Sequence, residues 1–347
     1  MKQLWDWKEV PCITVSDLNP RVIYSENYNP WFNQALEEHL LNNVKEGEII
    51  LYLWQNEKTV VIGRNQNAWR ECCCTCLERD GGKLARRLSG GGAVFHDLGN
   101  QNFTFITSQD NYDEEKQLEV ILEAVRNLGV EAELSRQNDL ACQDLRFSRN
   151  AYYFTSERAL HHGSILVNTD LKLMRNYLDV SPERIYALKI NSFREKEINL
   201  AEINADISVA DLCRSLENSF YHHFGRPGDI PEFIDPELRE ELCELYRKYA
   251  SWEWRFGRTP KFDMSFETRF DWGGIELGLE LEEGRIESVN IFSDAMNVHL
   301  IKELEEALRG CTFNLTAMYN ALEELVEFYG EEDKIMELAE WLLERDL

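Results

Sequence analysis

The sequence predicts an α+β protein in two parts: mixed, mainly antiparallel sheets with packed helices, followed by a small α+β C-terminal domain. Three observations predict it. Strand-like and helical runs alternate through the first two thirds without a regular βαβ rhythm, which disfavours a doubly wound parallel sheet. Near residue 226 the composition shifts, and RPGDIPEFIDP holds three of the chain's 8 prolines. Beyond that stretch Ile275, Leu277, Leu279 and Leu281 alternate strictly, and helical periodicity follows. The expected division is one domain over 1–246 and a second over 247–347. Two domains is the ordinary expectation for 347 residues.

The elements follow in order. Asn29-Pro30 opens NPWFNQALEEHLLNNVKEG, with Asn29 as cap, Pro30 in the first turn, a stripe of Phe32, Leu36, Leu40 and Val44, and Gly47 to end it. IILYLWQ and TVVIGR flank Asn56-Glu57 and read as a hairpin. A second hairpin is expected where GGAVFHD and QNFTFIT flank Leu98-Gly99-Asn100. EEKQLEVILEAVRNLGV carries Leu118, Ile121, Leu122, Val125 and Leu128 at helical spacing and stops at Gly129. GSILV reads as a strand feeding the helical run LKLMRNYL, and PELREELCELYRKYA as a helix leading to WEWRFGRTPKF. The last domain has a turn at Glu283-Gly284, a second strand through Ile286, Val289 and Ile291, and helices near Leu300–Leu308, Ala317–Tyr329 and Lys334–Leu343.

With 37 Lys+Arg against 63 Asp+Glu the formal charge is −26. So acidic a surface argues against nucleic acid and against anionic membranes, since both need a basic face. No apolar run approaches the ~20 residues that span a bilayer, and MKQLWDWKEV lacks the regions of a signal peptide. The expectation is a cytoplasmic protein. Its 9 cysteines, an odd number, are expected to be reduced thiols. Cys73 and Cys76 form a CxxC half-site within the cluster Cys72, Cys73, Cys74 and Cys76, but no second half completes a zinc site. His161–His162 and His222–His223 have the wrong spacing for one helix face.

Chemistry is concentrated in residues 86–106, RRLSGGGAVFHDLGNQNFTFI. Gly90, Gly91 and Gly92 let the backbone approach a ligand closely, and oriented N–H groups beside Arg86 and Arg87 can hold an anion. Residue chemistry alone leaves a flexible turn as the alternative, and neither a Walker loop nor GxGxxG is present.

That segment closely resembles the signature of the lipoate–protein ligases, within the wider biotin/lipoate protein-ligase superfamily. NPWFNQALEEHLL, LYLWQNEKTVVIGRNQNAWREC, QNDL, FSRNAYY, HHGSILVNTDLKLMRNYL, ALKINSFREKEINL and WEWRFGRTPKF resemble further landmarks of the family, in its order. The resemblance implies a catalytic domain like those of biotin ligases and class II aminoacyl-tRNA synthetases. It also implies a two-step reaction, in which lipoate and ATP give lipoyl-adenylate and the lysine amine of a lipoyl domain then takes the acyl group. By the same resemblance Arg87, Gly92, Ala93, Val94 and Phe95 face the nucleotide, and Asn138 and Asp139 match its adenylate and metal region. Trp54, Arg87, Ser89, Gly90, Gly91 and His96 match the lipoate site. Lys189 matches the essential lysine, serving both substrates. Mg²⁺ is expected to arrive on ATP, with no metal held by the protein alone. The implied acceptors are E2 lipoyl domains of 2-oxoacid dehydrogenases, glycine-cleavage H protein, or both, and the implied state is a monomer.

Departures from the family pattern are Arg149 in place of a small residue, Ile190 after the lysine, and Glu195 and Lys196 in a stretch that is usually more basic. Asp97 is a candidate acceptor for the amine proton. The nearest rival is a cysteine-dependent acyl transferase of the same fold, for which Cys142 is the candidate thiol. A non-catalytic paralogue that binds lipoate or a carrier is the other.

Overall fold

The computed structural model describes residues 18–135, 139–178, 197–225, 232–233, 240–256, 264–282 and 284–344. In chain order the strands are β1 (Asn19–Tyr24), β2 (Glu48–Trp54), β3 (Thr59–Ile62), β4 (Lys83–Arg86), β5 (Val94–His96), β6 (Asn100–Ser108), β7 (Glu133–Leu134), β8 (Leu140–Cys142), β9 (Leu145–Arg146), β10 (Ser148–Phe154), β11 (Arg158–Leu166), β12 (Glu232–Phe233), β13 (Met264–Phe270), β14 (Gly273–Glu282) and β15 (Arg285–Ser293). The helices are α1 (Pro30–Asn43), α2 (Ala68–Glu71), α3 (Cys74–Arg79), α4 (Glu114–Arg126), α5 (Leu171–Leu178), α6 (Leu200–Ile203), α7 (Val209–Phe224), α8 (Glu240–Ala250), α9 (Trp252–Phe256), α10 (Val298–Leu308), α11 (Leu315–Tyr329) and α12 (Glu332–Leu343).

Six strands form the main sheet in the order β10-β11-β6-β2-β1-β12. Its pairings are antiparallel from β10 to β2 and parallel from β2 to β12. Strand alternation gives both faces a core. On one side Ile49, Leu51 and Leu53 of β2 join Phe103 and Phe105 of β6 under α4 and α7. On the other, Ile50, Tyr52 and Trp54 join Ile106 and Leu160 under α1 and α8. This explains why EIILYLW is buried throughout. Two small sheets, β4-β3-β5 and β7-β8-β9, flank the main one. The C-terminal lobe is the antiparallel sheet β13-β14-β15 with α10, α11 and α12 packed on it, and it has its own core.

Helix α1 begins as expected: the Asn29 side chain accepts from the Trp31 N–H at 3.0 Å and Pro30 takes the first turn. It ends at Asn43, before Gly47. That glycine, at φ +73°, turns the chain into β2, and its carbonyl accepts from Asn19 N at 2.7 Å.

Both hairpins expected in the first part are absent. Strand β2 has its two edges taken by β1 and β6, so β3 pairs instead with β4 and β5 in another sheet. Likewise β5 pairs with β3 rather than β6. Residues 55–58 therefore cross between sheets. Asn33 on α1 secures the crossing by donating to the Asn27 and Gln55 carbonyls and to Asn56 Oδ1. The C-terminal pair β14/β15 does form, and the three helices after it fall where periodicity places them.

The expectation of reduced thiols fails at one pair. Cys73 and Cys76 are disulfide-linked around the start of α3, with Cα atoms 5.3 Å apart. Cys72, Cys74, Cys142, Cys213, Cys243 and Cys311 are free.

Candidate active site

Strand register builds the floor of a cleft. Trp54 pairs with Asn102, Asn102 with Ser164, and Ser164 with Arg149, so one row runs from β2 to β10. The neighbouring inward row is Tyr52, Thr104, His162 and Ala151. Side chains two apart along each strand share a face, and α1 lies over this one. Its Gln34 and Glu37, three residues apart and thus on one side of the helix, line the cleft with Trp54, Arg87, His96 and His162. Counting the space open to solvent at its mouth, the cleft has a volume of about 1150 Å³.

A chain of hydrogen bonds stiffens the wall. Arg87 Nε donates to Ser89 Oγ at 3.0 Å, and Ser89 Oγ lies 2.7 Å from His162 Nε2. His162 Nδ1 is 2.9 Å from Glu37 Oε1, which also accepts from Thr104 Oγ1 at 2.7 Å, and Trp54 Nε1 donates to Thr104 at 3.0 Å. A carboxylate can only accept, so His162 Nδ1–H donates to Glu37. A serine, histidine and carboxylate in series have the connectivity of a hydrolase triad. Here Ser89 is fully buried and lines no part of the cleft, so the series orients the wall and supplies no nucleophile.

The glycine loop sits differently from its sequence reading. A Cβ on Gly90 would lie 2.1 Å from the Ala295 carbonyl oxygen, and Gly91, at φ +85°, donates its N–H to that oxygen at 3.2 Å. The close backbone approach is to the C-terminal lobe. Gly91, Gly92 and Val94 line the main cleft, Ala93 and Phe95 a smaller adjoining one, and Met296 of the C-terminal lobe reaches the main one.

The two neighbouring arginines diverge. Arg86 gives its guanidinium to the carbonyls of Gly63, Arg64, Gln66, Trp254 and Arg255, which removes it from any anion site. Arg87 bonds Val61, Gly90 and Gly92 carbonyls and faces the cleft. Burial, and then the charge of Arg149, pulls Arg87 down to about 10, so it stays cationic at neutral pH.

His96 is held neutral: burial first, then the charges of Arg87 and His162, lower it to about 3. Asn33 fixes Asn56 Oδ1, so Asn56 Nδ2 faces His96 Nδ1 at 3.2 Å and the ring carries its proton on Nε2. Asp139 accepts from Arg146 Nη1 at 2.8 Å and from Asn150 N at 3.0 Å, while burial still holds its carboxyl above the usual range. Arg149 pairs with Glu197 at 2.7 Å. Asp97 accepts from Gly99 N and Asp170 N and so shapes a turn.

Trp54, Arg87, Gly91, Gly92, Val94, His96 and Asp139 thus share the cleft. Asn138 and Lys189 lie outside the described residues, as do Ile190, Glu195 and Lys196. Gln34, Glu37, Arg146 and His162 were missed. Two polar residues three apart inside the apolar stripe of NPWFNQALEEHLL were the available signal for the first two. Gln34 is 1% exposed, and neither atom of its amide has a hydrogen-bond partner among the described residues. Cys142 is buried in the core beneath α4, and burial, then Glu131 and Glu133, push its thiol up. It does not line the cleft, so the thiol named for the transferase reading lies away from the site.

A mixed sheet, a glycine loop beside an arginine-lined cleft and a small lobe packed on that loop fit a protein ligase. The Lipoyl protein ligase A/B catalytic domain matches residues 29–221, and the Bacterial lipoate protein ligase C-terminus matches 259–342. The chain belongs to the lipoate–protein ligase family. It is 36% identical over 329 residues to Lipoate-protein ligase A of Blochmanniella floridana, covering 93% of this chain and 98% of that one. The structure of P. falciparum LipL1 in complex with lipoate is 32% identical, with TM-score 0.83 over 94% of this chain and 100% of that chain. A bipartite lipoate protein ligase from Thermoplasma acidophilum, studied with its E2 lipoyl domain, is 26% identical, with TM-score 0.60 over 71% of this chain and 100% of that one. Among the described residues no helix is long and apolar enough to cross a membrane.

Proposed function

We propose that the chain is an ATP-dependent lipoate–protein ligase. It condenses lipoate with ATP to lipoyl-adenylate and pyrophosphate, then passes the lipoyl group to a lysine ε-amine of a lipoyl domain and releases AMP. The observation that best supports this is the row running from Trp54 on β2 to Arg149 on β10, an indole wall for an acyl chain leading to a cationic rim.

Attack of a carboxylate on the α-phosphorus brings two anions together, so fixed positive charge lowers the barrier. Arg146 and Arg149 stand at the rim with Asp139 and Glu197 as counter-ions, and phosphate oxygens would compete for those guanidinium forks. Arg87 adds a buried charge and holds the loop whose Gly92–Phe95 backbone would face the nucleotide. His96 offers Nε2–H as a neutral donor. Lys189, by the resemblance, supplies the point charge between the anions, with Asn138 beside the adenylate.

Mg²⁺ would enter on the triphosphate. The buried carboxylates of the cleft, Glu37 and Asp139, are both engaged by protein donors and offer it no cage of their own. The second step needs a neutral amine and no protein nucleophile. The acceptor (E2 lipoyl domain or H protein), the cytoplasmic location, the monomeric state and the division at residues 246 and 247 belong to the same proposal.

Incubation with ATP, lipoate and a purified lipoyl domain tests it. AMP should appear in step with the modified domain and only with all three present. Transfer from an acylated carrier without ATP would favour the transferase, and tight binding without AMP the paralogue.

A further inference from the structure

Helices α4 and α7 lie side by side on the face of the main sheet opposite the cleft. Glu123 is in the last turn of α4, and His222 and His223 are in the last turn of α7. His222 Nδ1 lies 2.9 Å from Glu123 Oε1, and His223 Nε2 lies 2.7 Å from Oε2. Consecutive helical residues diverge by about 100°, so adjacent histidines do not share a helix face. They converge because the carboxylate between them comes from the neighbouring helix.

All three donor groups lie within 4.8 Å of one another. With metal–ligand bonds of about 2.1 Å, the edge of a coordination tetrahedron is about 3.4 Å, so small side-chain shifts would admit an ion. Ser219 Oγ donates to Glu123 Oε2 at 2.7 Å and orients the carboxylate, as outer partners of metal ligands do. The His222 side chain is 72% exposed, which leaves an entry path and room for water. A net charge of −26 attracts cations to the chain as a whole.

We propose that Glu123, His222 and His223 form a binding site for a zinc-class divalent transition-metal ion, with water completing the coordination. Two imidazole nitrogens and one carboxylate oxygen suit zinc, whereas Mg²⁺ and Ca²⁺ take oxygen donors. One ring ligates through Nδ1 and the other through Nε2, both as neutral imidazoles. The bound ion ties the C-terminal ends of α4 and α7 together, remote from the catalytic cleft. The competing reading is an ordinary ion pair, one carboxylate clamped by two imidazole rings.

The test is calorimetric titration with zinc of the full chain carrying Cys73→Ser and Cys76→Ser, which removes the pair that would compete for zinc on reduction of its disulfide. One equivalent should bind, and His222→Ala and His223→Ala should each weaken it about tenfold or more. Cobalt should give visible d–d bands without a thiolate charge-transfer band. Because His222 is exposed and lies far from the cleft, its variant should keep the wild-type circular dichroism and ligase activity. Equal zinc affinity in the double histidine variant would overturn the site. So would the absence of both heat and cobalt bands, which would leave the ion pair alone.

Discussion

Arg86 and Trp254 exchange hydrogen bonds across 168 positions: Arg86 Nε donates to the Trp254 carbonyl at 2.9 Å, and Trp254 Nε1 donates to the Arg86 carbonyl at 2.8 Å. The arginine next to the glycine loop thus fastens α9, the segment leading to the C-terminal lobe, onto β4. A lysine ammonium presents three donors from one point and cannot reach five carbonyls spread around a planar fork. Arg86→Lys should therefore cost about 3 kcal/mol or more of stability, several buried carbonyls being left unpaired. Trp254→Phe, losing one bond, should cost about 1 kcal/mol. Urea midpoints measure both, and an unchanged midpoint for Arg86→Lys would refute the role.

Lys189→Ala should reduce lipoate-dependent pyrophosphate release by about 10²–10³-fold, the scale of losing one electrostatic donor at a reacting centre. Its urea midpoint should stay near that of the wild type. Near-normal pyrophosphate release would remove Lys189 from the chemistry.

Cys142→Ala should keep most of the ligase activity. The thiol is buried under α4, away from the cleft, and an adenylate route needs no thioester. Loss of activity with an intact fold, together with ATP-independent transfer by the wild type, would reverse the assignment.

Two buried histidines make stability depend on pH. His96 and His161 are each lowered to about 3, chiefly by burial, against about 6.5 in an unfolded chain. Above pH 6.5 both are neutral in either state and their contribution is fully present. As pH falls from 6.5 toward 3, the unfolded chain takes up a proton at each site and the native chain does not. Stability should then drop by about 1.4 kcal/mol per pH unit per histidine. His96→Asn and His161→Asn should each flatten that slope by this amount, read from denaturation midpoints between pH 4.5 and 6.5. Unaltered slopes would mean that neither ring is held neutral.

Gln34 makes acyl preference testable. A buried amide with no partner at the cleft disfavours a purely aliphatic occupant by about 1–3 kcal/mol. Gln34→Leu should raise kcat/KM for octanoate relative to lipoate by roughly tenfold. An unchanged ratio would show that the amide does not meet the acyl chain.

Helix positions, the C-terminal hairpin and the glycine segment were legible because each depends on local chemistry: the Asn29 cap, the alternation from Ile275 to Leu281, and the run Gly90 to Gly92. The two early hairpins were misread because β2 is claimed on both edges by distant strands, and nothing in residues 48–62 encodes that competition. The same limit hid Arg146, Glu37 and His162, which register and helix packing bring to one cleft from segments that are each unremarkable. The sequence also could not separate Arg86 from Arg87, since opposite tasks follow from strand alternation at the end of β4.

The contact of Gly90 and Gly91 with Ala295 has a consequence for a divided chain. In one polypeptide the two loops meet at high effective concentration, so a few contacts serve: this approach, Ser293 N donating to Asn65 O, and His299 stacked on Tyr153 with its Nε2 at the Phe154 carbonyl. Made as two separate pieces cut between α9 and β13, the same surfaces would associate bimolecularly and bear the full entropy of association. Reconstituted activity should then rise with protein concentration, while the intact chain's specific activity stays constant on dilution.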